Sequence, residues 1–223
     1  MQDDMFGAPA RSISGAVEAR FRFLRGEGAD RARIALEWAA LRPAGGFQFI
    51  MADPPWKFAD WSDEGNKSKS PVHHYDCQPL SWIRSLPFDA LAADNCVMWL
   101  WATNPMLPHA IETLEWWGFE FKTAGHWVKT TRHGKIAFGT GHLLRSAGEP
   151  FLIGTRGRPK TSRSVRSVVM AEATGHSRKP DAAYEAAERL MPGVPRIEVF
   201  SRRNRPNWSA WGYEVGKFDY EAA

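Results

Sequence analysis

Phe47-Gln48-Phe49-Ile50-Met51-Ala52-Asp53-Pro54-Pro55-Trp56 is a short apolar run stopped by an acid, two prolines and a tryptophan. The run reads as a buried strand, because proline removes the ladder donor and fixes φ where the strand must end. Asp53 therefore sits at a strand's carboxyl end, where open α/β sheets gather their ligands. Its oxygens only accept hydrogen bonds when ionised, the proline carbonyls add further acceptors, and Trp56 offers a flat polarisable face. The combination suits a planar ring bearing an NH2 group.

An exocyclic amine is a poor nucleophile because its lone pair is delocalised into the ring. A carboxylate and a carbonyl that each accept one N–H favour a more pyramidal nitrogen and aim its lone pair at an incoming methyl group. No covalent intermediate is required.

On Asp53-Pro54-Pro55-Trp56 the sequence resembles the adenine-amino methyltransferases with an Asp-Pro-Pro-Trp motif. This is the family of the catalytic subunit of the eukaryotic mRNA adenosine methyltransferase, with bacterial and phage members. The resemblance implies an α/β, Rossmann-like methyltransferase fold with a mostly parallel central sheet flanked by helices. It also implies S-adenosylmethionine as the methyl donor and no metal.

The resemblance runs from about residue 47 to 215 and assigns roles along the way. Asp53 and the Pro54 carbonyl would hold the amine, with Pro55 completing the turn and Trp56 and Tyr75 stacking on or walling the base. Downstream, Lys179 would pair with the carboxylate of the methionine moiety. Glu198 and Phe200 would lie beside the cofactor, with Arg202 and Asn204 on ribose or carboxylate oxygens. Asp53 would also touch the cofactor. Two departures from eukaryotic relatives stand in this region: Arg202-Arg203-Asn204 lacks their intervening histidine, and Tyr213 follows Gly212 where an Asn is common.

Outside the motif, the 223 residues, 43% apolar and 24% charged, fit one domain with a sizeable core. We expect a flexible segment over 1–15, then a single methyltransferase domain over 16–223 that opens with a helical extension, 16–44. The extension rests on apolar residues at roughly helical spacing, among them Ile34, Leu36, Trp38 and Leu41, with Arg20, Arg22, Arg25, Arg31 and Arg33 outside.

The net charge of +4 and pI near 9.2 are mild, but the arginines concentrate in the middle and last third of the chain. Lys57 opens a polar, lysine-bearing loop directly after Trp56. Arg145 follows a Gly-x-Gly loop, Gly139-Thr140-Gly141, and precedes the strand that contains Glu149. Arg156 and Arg158 begin a basic run that continues through Lys160, Arg163 and Arg166. Beside a base pocket such cations would neutralise phosphates, so Lys57, Arg145, Arg156 and Arg158 are candidate nucleic-acid contacts. DNA is the preferred substrate, since the chain resembles small single-domain members and carries no appended RNA-binding module; RNA is the alternative. A third reading is a non-catalytic scaffold that binds nucleic acid for an active partner. A homodimer or a partner subunit is compatible with all three.

Cys77 and Cys96 are too few for a disulfide scaffold and lack a metal-site spacing. His73 and His74 have no partner ligands at suitable spacing. No apolar run approaches the roughly 20 residues of a bilayer span. A soluble cytoplasmic protein is expected. Strands are further expected over Cys96–Trp101, from Phe119 to Lys129 and around Glu198, and a helix from Met106 that Gly118 ends.

Overall fold

A computed structural model of the chain describes residues 28–56, 78–141, 143–174 and 178–219. Its elements in order are α1 (Gly28–Leu41), β1 (Phe47–Ala52), α2 (Leu80–Ser85), β2 (Ala92–Trp101), α3 (Leu107–Trp116), β3 (Glu120–Thr130), β4 (Gly148–Arg156), β5 (Val168–Glu172), α4 (Asp181–Leu190), β6 (Arg196–Val199) and β7 (Ser209–Trp211). The seven strands form one sheet in the order β5-β3-β4-β2-β1-β6-β7.

β1 pairs in parallel with β2 and with β6, β3 with β5, and β6 with β7. β4 alone runs the other way, antiparallel to both β2 and β3. The expected mostly parallel, helix-flanked sheet is therefore present. The reversed strand carries a consequence for function: the amino end of β4 lies at the carboxyl ends of the other six strands.

Alternation along the strands builds two cores. On one face Phe47, Ile50, Ala52, Met98, Leu100, Ile197 and Val199 pack with residues of α1, α2 and α3. On the other, Phe49, Met51, Val97, Trp99, Trp101, Trp127 and Phe151 pack with Ala183, Tyr184, Ala186 and Ala187 of α4. Burial on both faces is what keeps β1 apolar at every position but the partly buried Gln48. Of the α1 residues with apolar side chains, Ile34 and Trp38 are buried, whereas Leu36 is 74% exposed. Leu36 stands two residues from Ile34, about 200° round the helix, so it cannot share that buried stripe.

Local punctuation fixes the ends of the elements. Gly46, at φ +85°, turns the chain into β1, and a Cβ there would lie 2.8 Å from the Ala93 amide nitrogen. Gly118 closes α3 at φ +79°, its N–H bonded to the Glu115 carbonyl, as the sequence leads one to expect. None of the described helices is long and apolar enough to cross a membrane.

Candidate active site at the carboxyl ends of the strands

Asp53 leaves β1 with its amide bonded to the Val199 carbonyl of β6, which anchors the turn to the neighbouring strand. The two prolines follow, and Trp56 N–H donates back to the Pro54 carbonyl at 2.8 Å while Gln78 N–H donates to the Pro55 carbonyl. A carbonyl oxygen has two lone pairs, so Pro54 keeps one acceptor position for an amine.

Lys179 reaches this turn from the segment before α4. Its Nζ lies 2.6 Å from Asp53 Oδ2 and 2.8 Å from Glu149 Oε1, with the lysine side chain 5% exposed. Glu149 comes from the amino end of β4, and its other oxygen pairs with Lys129 of β3 at 3.1 Å. The result is an alternating row, Asp53, Lys179, Glu149, Lys129, of zero net charge. It lies above aromatic rings: Lys179 is 5.2 Å from the centroid of Trp101, and Lys129 is 4.7 Å from that of Trp127.

The row divides its two carboxyls. Burial raises Asp53, and the single lysine it shares does not fully compensate, so it stays above the ordinary range. Burial also pushes Glu149 upward, but Lys179 and Lys129 together outweigh it and hold Glu149 below its usual value. Lys179 is disfavoured by burial, yet its two carboxylates keep it charged well above the normal lysine range.

Beside this row stands Glu198 of β6, a side chain the sequence reading placed next to the cofactor. It is buried and accepts hydrogen bonds from Tyr184 Oη at 2.7 Å and from Ser201 Oγ at 2.8 Å. Burial raises its carboxyl above the ordinary range, with both donors opposing. Phe200 follows at φ 68°, a left-handed turn that bends the chain out of β6 toward Arg202. Arg202 pairs with Glu214 at 2.7 Å and bears electrostatically on Asp53. Asn204 is turned away onto Asp219, which takes both its backbone and side-chain amides.

The structure thus brings Asp53, Pro54, Lys179, Glu198 and Arg202 to one end of the sheet. Other candidates it places elsewhere. Trp56 was expected to stack on or wall a base; it is 3% exposed and its Nε1–H donates to the Trp101 carbonyl at 3.0 Å. It fastens the Pro-Pro turn to β2 and presents no open face. Arg156 lies opposite Cys96 in the β2–β4 register while Phe151 lies opposite Trp101, which puts Arg156 roughly 16 Å of strand away from the active end. There it pairs with Asp89 and donates to the Trp117 carbonyl at 3.0 Å, and the Arg158 amide bonds to Asn95. Among the described residues, exposed cations at the active end include Arg132, Lys135 and Arg145 of the segment joining β3 to β4. Arg145 stands over the Phe138 ring. Tyr75 and Lys57 lie outside the described residues.

Glu149, Lys129 and Tyr184 were not singled out from the sequence. Glu149 was visible only as the acid of a strand, and its place at the active end follows from the reversed direction of β4. No signal local to the sequence distinguishes Lys129 or Tyr184.

The described residues hold no cluster of His, Cys, Asp or Glu able to bind a metal ion. A zwitterionic ligand suits the donor set. Asp53, Lys179, Glu198 and Arg202 offer paired charges of both signs, and an ammonium and a carboxylate can replace the partners in the Asp53–Lys179 bridge without changing its net charge. Where Gly212 passes, a Cβ would fall 2.7 Å from the Ser201 carbonyl oxygen, so the loop after β6 and the exit of β7 are held close.

The family model described as MT-A70 matches residues 47–214. The type II methyltransferase M.MunI of a Mycoplasma species is 30% identical over 187 residues, covering 76% of this chain and 78% of that protein. The human N(6)-adenine-specific methyltransferase METTL4 is 29% identical over 78% of this chain and 38% of its own length. The human N(6)-adenosine-methyltransferase catalytic subunit METTL3 is 30% identical over 77% of this chain and 28% of its own. The chain therefore spans most of the Mycoplasma protein but well under half of either human one.

Proposed function

The chain belongs to the MT-A70 family, and we propose on that premise that it transfers a methyl group to the 6-amino group of adenine in DNA. The observation that carries the proposal is Asp53, held at the carboxyl end of β1 in a buried ion-pair row and followed by the Pro54 carbonyl. The preference for DNA rests on the extent of the likeness to M.MunI, of which 78% is covered. The second reading is the same reaction on RNA adenosine, and it rests on the match to METTL3.

S-adenosylmethionine, when bound, supplies a methyl group on a sulfonium centre that is electrophilic without a metal. Lys179 would hold its carboxylate, Asp53 its ammonium, and Glu198, Phe200 and Arg202 would line it. Asn204 bonds to Asp219 instead and has a lesser claim.

The base must leave its pair before its amine can be reached, so the substrate is flipped out or single-stranded. Asp53 and Pro54 O each accept one N–H of the amine, which pyramidalises the nitrogen toward the donor. After transfer the nitrogen sheds one proton. Asp53, whose carboxyl already sits above the ordinary range, is placed to take it, and solvent is the alternative acceptor. Among the described residues, the exposed Arg132, Lys135 and Arg145 would meet phosphates. With only two cysteines in the chain, a reducing cytoplasm is the compartment proposed.

The test is transfer of labelled methyl from S-adenosylmethionine to adenine-containing DNA and RNA oligonucleotides of matched sequence. Label on DNA adenine is the expected result. Label on RNA alone selects the second reading, and cofactor binding without label on either overturns the catalytic one.

A further inference from the structure

The Asp53–Lys179 bridge poses a problem for any substrate. Lys179 Nζ lies on Asp53 Oδ2 at 2.6 Å, on the carboxylate that the amine needs, and its side chain is only 5% exposed, so leaving Asp53 for solvent would take it out of its buried place. Besides the cofactor carboxylate assigned to it above, it needs an anchor within the protein, and Glu149 at 2.8 Å is that anchor. Glu149 can take the whole of Lys179 only while it is itself ionised and correctly turned. The side chain that sees to both is Lys129, 3.1 Å from the other Glu149 oxygen.

The backbone places Lys129 for this. Trp127 lies opposite Glu149 in the β3–β4 register, so Lys129, two residues on, is the diagonal neighbour on the same face of the sheet. Its amide donates to the Ala147 carbonyl, which fixes the strand there, and its ammonium rests over the Trp127 ring, whose own Nε1 is held by the Ala171 carbonyl.

We propose that Lys129 is a positioning residue for methyl transfer: its ion pair keeps Glu149 charged and turned toward Lys179, so that Lys179 can move off Asp53 when the amine arrives. The inference rests on the assignment of Asp53 as the group that holds the amine.

The charged groups around Glu149 are Asp53 at the β1 exit, Lys179 before α4 and Lys129 on β3, with Arg202 acting on Asp53 from the β6 exit; His126 of β3 lies against Gly148. Without Lys129, Glu149 protonates at a higher pH and leaves Lys179 held by Asp53, where it competes with the amine for Oδ2. Loss of activity is therefore greatest at low pH.

The experiment compares the full chain with Lys129→Met, Lys129→Arg and, as a control on the same strand, Lys122→Met, whose lysine pairs with Glu120. Single-turnover methylation of an adenine-containing oligonucleotide is followed across the range from about pH 6 to about pH 8.5, with urea unfolding of each variant alongside. For Lys129→Met we expect a loss that is largest near pH 6 and disappears at the alkaline end, the acid limb having moved up by about one unit. KM for the oligonucleotide stays unchanged, and Lys129→Arg restores the wild-type profile. A Lys129→Met profile that coincides with Lys122→Met overturns the inference, as does a loss that is equal at every pH and not rescued by arginine. Wild-type protein that transfers no label removes the Asp53 assignment and this inference with it, whereas active wild type with an unchanged Lys129→Met removes the inference alone.

Discussion

Replacing Lys179 with methionine isolates what the buried ion-pair row contributes. Methionine keeps most of the aliphatic stem beside Trp101 but removes the ammonium that stands between Asp53 and Glu149. Removing one member of a buried pair typically costs about 3–5 kcal/mol, because a charge is left uncompensated. Here a proton can substitute for the lysine, since burial already holds the Asp53 carboxyl above the ordinary range. Protonating it costs about 1.4 kcal/mol for each pH unit above its pKa, so the penalty should shrink as pH falls.

The sign follows from the three groups: Asp53, already raised in the folded wild type, loses stability as pH rises through its folded value, and the variant extends that slope. Lys179 has a raised pKa in the folded chain, so its contribution is fully present below the unfolded lysine value and gives no slope between about pH 6 and 8. Glu149 is held low in the wild type, so its contribution is present above the unfolded carboxylate value and lost only as pH falls through the folded one, below this window. In the variant both carboxyls rise, the folded state binds more protons than the unfolded, and stability falls with increasing pH.

Urea unfolding at three pH values should therefore give a destabilisation of about 3–5 kcal/mol near pH 8 that narrows by roughly 1 kcal/mol per unit toward pH 6. A difference below about 1 kcal/mol near pH 8, or one that does not change with pH, would refute the reasoning.

Trp56→Phe should lower stability by about 1–2 kcal/mol, because the buried Trp101 carbonyl loses its 3.0 Å indole donor; unchanged urea midpoints would show that this bond holds nothing. Arg156→Ala should leave methyl transfer intact while costing about 1–2 kcal/mol of stability through the lost bond to the Trp117 carbonyl, and a selective rise in KM for the oligonucleotide would return Arg156 to the substrate. Tyr184→Phe deletes the 2.7 Å donor to Glu198 and should weaken S-adenosylmethionine binding several-fold in calorimetry, with the loss absent if Glu198 has no part in the cofactor site.

What the sequence disclosed follows from which properties are local. A strand with both faces buried reads as a continuous apolar run, so β1 and the place of Asp53 at its end could be seen directly, as could the glycine that ends α3. Strand direction is not local. The apolar run of β4 reads the same whether parallel or antiparallel, and with the direction unknown Glu149 and Arg156 change ends: the acid joins the active site and the arginine leaves it. Trp56 shows a different limit, since residue type alone does not tell a tryptophan that stacks on a ligand from one whose indole N–H fastens a turn. Lys179 does lie beside Asp53, but its place as the bridge between two carboxylates depends on a residue 126 positions earlier in the chain.

The most direct measurement of the central claim is methyl transfer to an adenine-containing DNA oligonucleotide by wild type, Asp53→Asn and Asp53→Ala, with the folded state of each checked by urea unfolding. If Asp53 holds the amine, both variants remain folded and lose on the order of 100-fold or more in single-turnover rate. Asparagine should not rescue, because its amide offers one acceptor oxygen and no charge. A folded Asp53→Ala protein that methylates adenine at the wild-type rate would contradict the account.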